Sequence, residues 1–240
     1  MIEIIRRFLR QRFGNPIVAV TLVVLALLIG VTIVLSGTRA GTSSAFLALV
    51  ILAARSVSKD ASSGALQMIL ARPLRRTQYL YGRYAGILCA YAAFLVLCGV
   101  FAALLAVAAL PALRVPTPPF DPRVLLRGLA GSLLGAVLFS AVLLFFSTFL
   151  PGYGDVLAYF LVAILLSLPE ALGQALKTPW LGDAARVAHQ NLLPEVDWDT
   201  VLGGQDVLGA PTGRWVLAVV VFLAAAALVF RRREFAYGQD

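Results

Sequence analysis

The sequence predicts an all-α polytopic membrane protein, with a single transmembrane domain over residues 1–240. Hydrophobic residues make up 60% of the chain and charged residues only 13%, whereas a soluble domain carries about a quarter charged residues. The apolar residues form several runs near the roughly 20 residues that a helix needs to cross a bilayer. Arginines stand at the borders of these runs. Together these observations exclude an ordinary soluble domain.

Residues 1–13 predict an amphipathic helix that lies in the membrane interface. Ile2, Ile5, Leu9 and Phe13 recur at helical spacing and form one apolar face. The other sides carry four arginines, which we expect to face anionic lipid head groups: Arg6, Arg7, Arg10 and Arg12. Gly14-Asn15-Pro16 ends this helix and begins the first membrane span.

The apolar runs predict about six membrane spans, at residues 16–35, 41–55, 84–110, 126–150, 156–169 and 214–230. The second span is short, but arginine side chains at its ends can reach the interface while the membrane thins locally. The fifth span meets Pro169 early. We expect residues 169–190, which are too polar to cross, to form an outer re-entrant helical hairpin.

The distribution of basic residues predicts that both termini are cytoplasmic. With that orientation, the inner segments hold the larger share of the 20 lysines and arginines. Arg114, Arg123 and Arg127 argue the other way, since all three fall in the outer connection between the third and fourth spans. The net charge of +8 does not indicate nucleic-acid binding, because the arginines stand at membrane borders.

The sequence lacks the residues that several kinds of chemistry require. No G-x-x-x-x-G-K-[ST] run is present to hold nucleotide phosphates, so the chain is not expected to be an ATPase or to bind a cofactor. One histidine and no H-E-x-x-H motif argue against a metal site. Asp155 and Glu170 fall at predicted span ends, where interfacial solvation explains them. Transport driven by titrating groups of the chain itself is therefore disfavoured, and its energy must come from elsewhere.

The basic connection between the second and third spans, residues 59–76, is the segment most indicative of function. Asp60 or Ser62 can cap a short helix, and Pro73 disfavours helix at the residue before it. Between them, the helix would present one apolar face, formed by Leu66, Ile69 and Leu70. Such a helix could seat in a groove on a soluble partner, or it could lie on lipid, held by the same arginines.

The stretch from Asp60 to Arg83 resembles the permease subunits of ABC-2 type transporters. In that family an acidic residue precedes a Gly-Thr-Leu-like turn, then Leu-Leu-x-x-Pro-x-x-Arg, then Gly-Lys or Gly-Arg at the start of the third span. This chain supplies Asp60, Gly64-Ala65-Leu66, Ile69-Leu70-Ala71-Arg72-Pro73-Leu74-Arg75-Arg76 and Gly82-Arg83. It departs from the pattern at Asp60, where glutamate is commoner, and at Ala65, where threonine is commoner. The amphipathic start, the six spans, the outer hairpin and the basic tail also match the family plan.

The resemblance implies a coupling helix that docks on a separate ATPase. The residues expected to carry the coupling are Asp60, Gly64, Leu66, Ile69, Leu70, Pro73, Arg75 and Arg76. The apolar ones would contact the ATPase groove, and the charged ones would fix orientation. The family further implies two ATPase subunits, which bind ATP and Mg²⁺, and a second permease copy or a related permease. The expected location is the bacterial inner membrane, and the all-apolar spans suit export of an amphipathic or lipid-like substrate.

Two rival functions remain open from the sequence. The first is a membrane scaffold or regulator that docks a soluble partner and transports nothing. The second, an intramembrane enzyme, is disfavoured by the missing chemistry. Gly131 and Gly135 form a small-x-x-x-small pattern in the fourth span, which serves either packing within the subunit or a dimer face. No residue is assigned to substrate binding.

Overall fold

The computed structural model describes residues 2–36, 44–54, 56–57, 76–109, 120–150, 153–175, 178–194, 196–204 and 209–232. Every regular element in these ranges is helical. The helices are α1 (Ile2–Phe13), α2 (Pro16–Ser36), α3 (Phe46–Ala53), α4 (Arg76–Leu104), α5 (Pro122–Ser147), α6 (Gly154–Ala175), α7 (Pro179–Leu192), α8 (Trp198–Leu202) and α9 (Ala210–Arg232). A π-helical turn, Leu105–Ala109, extends α4. The predicted all-α class is confirmed for the described part of the chain.

Four of the described helices are long and apolar enough to cross a membrane: Pro16–Ser36, Arg76–Ala108, Pro122–Ser147 and Ala210–Arg232. The shortest has 21 residues, which at 1.5 Å per residue spans about 30 Å, the thickness of a bilayer core. The four correspond to the first, third, fourth and sixth predicted spans. Their length and composition indicate a membrane protein.

The second and fifth predicted spans differ from these four. Within residues 41–55 the described helix is α3, whose 8 residues cover roughly 12 Å. In the fifth, the apolar stretch is Gly154–Pro169, but α6 continues through Pro169 to Ala175. Proline removes one backbone donor from a helix, and membrane helices tolerate this where neighbouring groups satisfy the freed carbonyl. The total of six spans therefore stays a prediction.

Three helices begin at a polar residue followed by proline, and two of these have a side-chain cap. The Asn15 Oδ1 accepts a hydrogen bond from the Ile17 N–H at 3.1 Å, and the Asp121 Oδ1 accepts one from the Arg123 N–H at 2.8 Å. In α7, Thr178 precedes Pro179 without a side-chain cap bond. Proline at the first helical position has no N–H to satisfy and a dihedral angle already suited to the helix. The sequence thus sets these three helix starts locally.

The described helices divide between two compact units, and α4 and α5 each contribute to both. The first unit comprises Met1–Ala53, Gly82–Ser140 and Asp197–Val207. In it, Gly30 of α2 lies against the backbone of α4, since a Cβ there would stand 3.2 Å from the Ala102 nitrogen. Two tyrosines of α4 bond to α5: Tyr84 Oη donates to the Val137 carbonyl at 2.9 Å, and Tyr91 Oη lies 2.7 Å from Ser132 Oγ. These hydrogen bonds join two apolar helices and satisfy both phenols.

The amphipathic helix α1 packs against two glycines of α4 in the same unit. A Cβ at Gly82 would stand 2.9 Å from Ile4 Cγ2, and one at Gly86 would stand 2.9 Å from Phe8 Cδ1. Phe8 is fully buried. The packing residues recur at four-residue spacing on both helices, so each pair shares one helical face. The face of α1 that packs on protein therefore differs from the apolar face of Ile2, Ile5, Leu9 and Phe13.

The second unit comprises Ala54–Tyr81, Ala141–Val196 and Leu208–Asp240. Its core is rich in aromatic contacts: the Tyr79 and Phe230 rings stack at 5.9 Å, and Phe145 lies 5.9 Å from Phe222. Helices α6 and α7 pack against each other. The ends of α4, α5 and α9 therefore meet through side chains far apart in sequence.

We predict that Gly86→Val loosens α1 from α4. A side chain at Gly86 meets the Phe8 ring and its Cβ, and overpacking of this kind costs about 1–3 kcal/mol. Hydrogen exchange of α1 amides, followed by mass spectrometry, should accelerate. Gly135→Val is the matched control, because a Cβ at Gly135 meets nothing within 4 Å. Equal exchange in both variants would contradict the packing of α1 described above.

Candidate functional site: the basic connection and its anchors

Most of the predicted coupling residues lie outside the described part of the chain. These are Asp60, Gly64, Leu66, Ile69, Leu70, Pro73 and Arg75. The structure describes the chain immediately before them, at Ser56 and Val57, and immediately after them, from Arg76. Their assignment to coupling stays a prediction, and the structural information concerns how the two ends of the connection are held.

The leading end of the connection, its N-terminal end, is bonded to the last turn of α5. The Val57 N–H donates to Ser147 Oγ at 3.2 Å, a buried bond between residues remote in sequence. Val57 is 1% exposed, Ser147 is 1% exposed, and Ser56 is 2% exposed. A buried backbone N–H without an acceptor costs about 1–3 kcal/mol, so this bond holds the chain at the point where the connection begins.

The trailing end of the connection, its C-terminal end, is bonded to the last turn of α9. Arg76 Nη1 donates to the Arg231 carbonyl at 3.2 Å. The final carbonyls of a helix have no partner within the helix and carry partial negative charge, so a guanidinium there is favourable. One turn later the Tyr79 ring stacks on Phe230, and Leu80 is fully buried. Arg76, which the sequence assigned to orientation of an ATPase, therefore bonds to a helix end of the same chain.

Arg83, the basic residue of the Gly82-Arg83 motif, is buried in the first unit. It is 3% exposed, and its Nη1 donates to Gln11 Oε1 of α1 at 3.1 Å. Its guanidinium carbon lies 5.3 Å from the centre of the Phe8 ring, within the range of a cation–π contact. Gly82 leaves room for Ile4 beside it. The motif therefore joins α4 to the amphipathic helix α1.

The interfacial arginines of α1 occupy different positions around the helix. Arg6, Arg7 and Arg10 are exposed, as the amphipathic pattern predicts. Arg12 is half-buried, and its guanidinium carbon lies 5.5 Å from the centre of the Phe8 ring. Arg12 and Arg7 both lie close enough to Arg83 to act on it electrostatically. One aromatic ring thus contacts two guanidinium groups.

The two glycines of the small-x-x-x-small pattern have different surroundings. A Cβ at Gly131 would stand 2.9 Å from Trp198 Cβ, so this glycine seats the first residue of α8 within the chain. Gly135 is exposed and has nothing within 4 Å of a Cβ. Asp197 caps α8 by accepting from the Asp199 N–H at 3.2 Å. Packing within the subunit therefore accounts for Gly131 and leaves Gly135 without a contact among the described residues.

The interpretation of Asp155 as a solvated interfacial residue is wrong. The residue is 0% exposed, and its Oδ1 accepts from the Val156 N–H at 2.9 Å at the start of α6. Packing of the second unit covers a carboxylate that sequence alone places at a span border. Glu170 lies within α6 rather than at its end, and its side chain lies outside the described part.

No cluster of three metal-binding side chains is present within the described ranges. The hydroxyls of Thr21, Thr32 and Ser167 bond to carbonyls of their own helices. They therefore need no partner from another helix or a ligand. No known protein-family model matches the chain, and no match to a curated protein was found.

Two residues that hold the structure together here were not predicted from the sequence: Ser147, which bonds to the chain before the connection, and Phe8, which packs α1 on α4. Ser147 carries no local signal, because a serine at the end of an apolar span is common in solvated positions. Phe8 was left out of the apolar face of α1, although Ile4 and Phe8 match the four-residue spacing of Gly82 and Gly86. That shared spacing was the available signal.

We predict that Ser147→Val frees the leading end of the connection. The Val57 N–H loses its acceptor, and we expect a stability loss of about 1–3 kcal/mol with faster exchange at that amide. Ser167→Val is the control, because that hydroxyl is exposed and bonds within its own helix. If exchange at Val57 were unchanged in Ser147→Val, the anchor assignment would be wrong.

Proposed function

We propose that the chain is the membrane-spanning permease subunit of an ATP-binding-cassette exporter. The observation that carries the proposal is the motif from Asp60 to Gly82-Arg83, which lies between apolar helices and resembles the ABC-2 coupling segment. Four helices able to cross a membrane fit this function. The sequence contains no phosphate-binding motif, so in this proposal a separate subunit binds and hydrolyses ATP.

The anchors give the proposal a mechanical basis. A docked segment transmits motion to the membrane only if its ends are fixed to the membrane helices. The leading end bonds to Ser147 of α5, and the trailing end bonds to Arg231 of α9. Closure of two ATPase subunits on ATP would displace the segment between these ends, and packed helices respond to such a displacement as rigid bodies.

In this proposal the chain works in the bacterial inner membrane with both termini in the cytoplasm. Two ATPase subunits dock beneath two permeases, which are two copies of this chain or this chain and a related one. The substrate class proposed is amphipathic or lipid-like. Support for this class comes from the hydroxyls of the described spans, most of which bond within the protein. The spans therefore present an apolar surface to a substrate rather than a polar path.

We predict that Leu66→Asp/Leu70→Asp abolishes co-purification of the ATPase with the tagged chain. The substitutions place two carboxylates in the apolar face that would enter the ATPase groove. The control Met68→Asp/Ala71→Asp adds the same two charges on the opposite side of the same helix, so it keeps that face and should retain the ATPase. Equal loss in both variants would indicate a charge effect, and binding by neither variant nor wild type would favour the non-transporting scaffold.

We further predict a nucleotide-dependent change at α7. Val187 is 57% exposed, so a nitroxide label on Val187→Cys should leave the packing intact, in a chain whose own cysteines are replaced by Cys89→Ser and Cys98→Ala. In the reconstituted complex, addition of ATP with Mg²⁺ should change the mobility or accessibility of the label. The same label in a complex that carries Leu66→Asp/Leu70→Asp should not respond. A scaffold shows no nucleotide response in either case.

A further inference from the structure

Helix α1 presents three distinct sides. At about 100° per residue, Ile4, Phe8 and Arg12 follow one line at four-residue spacing, and Ile4 and Phe8 of this line contact α4. Ile2, Ile5, Leu9 and Phe13 form a second side, where Ile2 is 83% exposed and Phe13 is 39% exposed. Arg6, Arg7 and Arg10 share the remaining side with Glu3. The apolar side is thus not consumed by the contact with α4.

The junction of α1 and α4 carries a large excess of positive charge. Helix α1 and the part of α4 in the same unit contain five arginines and a single acidic residue, Glu3. Arg83 is buried at the contact, and Arg12 lies on the same Phe8 ring. Like charges in a poorly solvated setting repel each other strongly, so an anion bound beside them would be stabilising.

Arg12 stands where the contact with α4 meets the apolar side of α1. It is half-buried, and Ile5 and Leu9 border it on that apolar side. A guanidinium at such a boundary reaches the depth of lipid phosphates while its stem covers apolar surface. Arginine also binds phosphate oxygens through paired, charge-assisted hydrogen bonds.

We propose that this junction binds one anionic phospholipid, with its phosphate on Arg12 and its acyl chains along the Ile5–Leu9 side of α1. The buried charge of Arg83 attracts the phosphate without contacting it. The bound lipid connects α1 to the bilayer, and so stabilises the packing of α1 against α4. This inference does not depend on the proposed function, since it involves no ATPase and no transported substrate.

The test measures lipid-dependent thermal stability of the full-length chain in detergent, at about 0.5 M NaCl to screen distant charges. Phosphatidylglycerol should raise the unfolding midpoint in a saturable way, whereas phosphatidylcholine and inorganic phosphate should not. Arg12→Gln should raise the half-saturating phosphatidylglycerol concentration about tenfold, the effect of losing a hydrogen bond to a charged group. Arg12→Lys, which keeps the charge but loses the paired hydrogen bonds, should raise that concentration by an intermediate amount.

Arg6→Gln is the matched control for the site. Arg6 borders the apolar side of α1 at a similar angle to Arg12, but on the flank away from Arg83. It should leave the half-saturating concentration nearly unchanged. Equal loss in Arg6→Gln and Arg12→Gln would overturn the proposal in favour of general attraction to an acidic surface. Equal protection by inorganic phosphate would overturn the lipid as ligand.

A second readout does not require any variant to fold. Native mass spectrometry of the wild-type chain, purified in the presence of equal phosphatidylglycerol and phosphatidylcholine, should show one retained phosphatidylglycerol per chain. Retention of neither lipid, or of both equally, would overturn the proposal.

Discussion

The lack of hydrogen-bond partners in hydrocarbon is the constraint on which the rest of the structure depends. Polar groups within the long helices find hydrogen-bond partners in two ways. Hydroxyls such as Thr21 and Thr32 bond back to their own helix, and Tyr84 and Tyr91 bond across from α4 to α5. The second kind fixes which helices are neighbours.

Two of the long-range polar bonds in the described structure lie at helix ends. The last turn of α5 accepts the chain before the basic connection, and the last turn of α9 accepts the chain after it. Arg83 bonds to α1 within the other unit. The bond from the Val57 N–H to Ser147 is buried, whereas the bond from Arg76 to the Arg231 carbonyl is exposed. This arrangement suits a connection that receives force from a soluble partner.

The sequence predicted the long helices well, because a run of about 20 apolar residues has few alternatives in a bilayer. The helix start at Asn15-Pro16 was predicted from its local sequence, whereas the start at Asp121-Pro122 was not, because the fourth span was placed from residue 126. Contacts between remote residues were not predicted. Nothing in the sequence near Gly131 indicates Trp198 as its neighbour, and nothing near Asp155, at the start of α6, indicates that its carboxylate is buried.

Amphipathic patterns were informative only in part. The arginines of α1 were correctly expected outside its apolar face, and Arg6, Arg7 and Arg10 are exposed. A helix that contacts both protein and lipid has two apolar sides, however. A search for a single apolar side therefore places the residues between the two on the wrong side of the helix. Phe8 and Arg12 are those residues. Seven of the eight proposed coupling residues lie outside the described part, so their role depends on the family resemblance.

The central claim is that the apolar face of the basic connection contacts an ATPase rather than lipid. Photo-crosslinking from a benzophenone amino acid at position 69 tests it most directly, in membranes that contain the chain with its candidate ATPase. The account predicts an adduct between the chain and the ATPase, and loss of that adduct when excess chain without the crosslinker competes for the ATPase. Adducts with lipid alone would contradict the account and identify the segment as an interfacial helix.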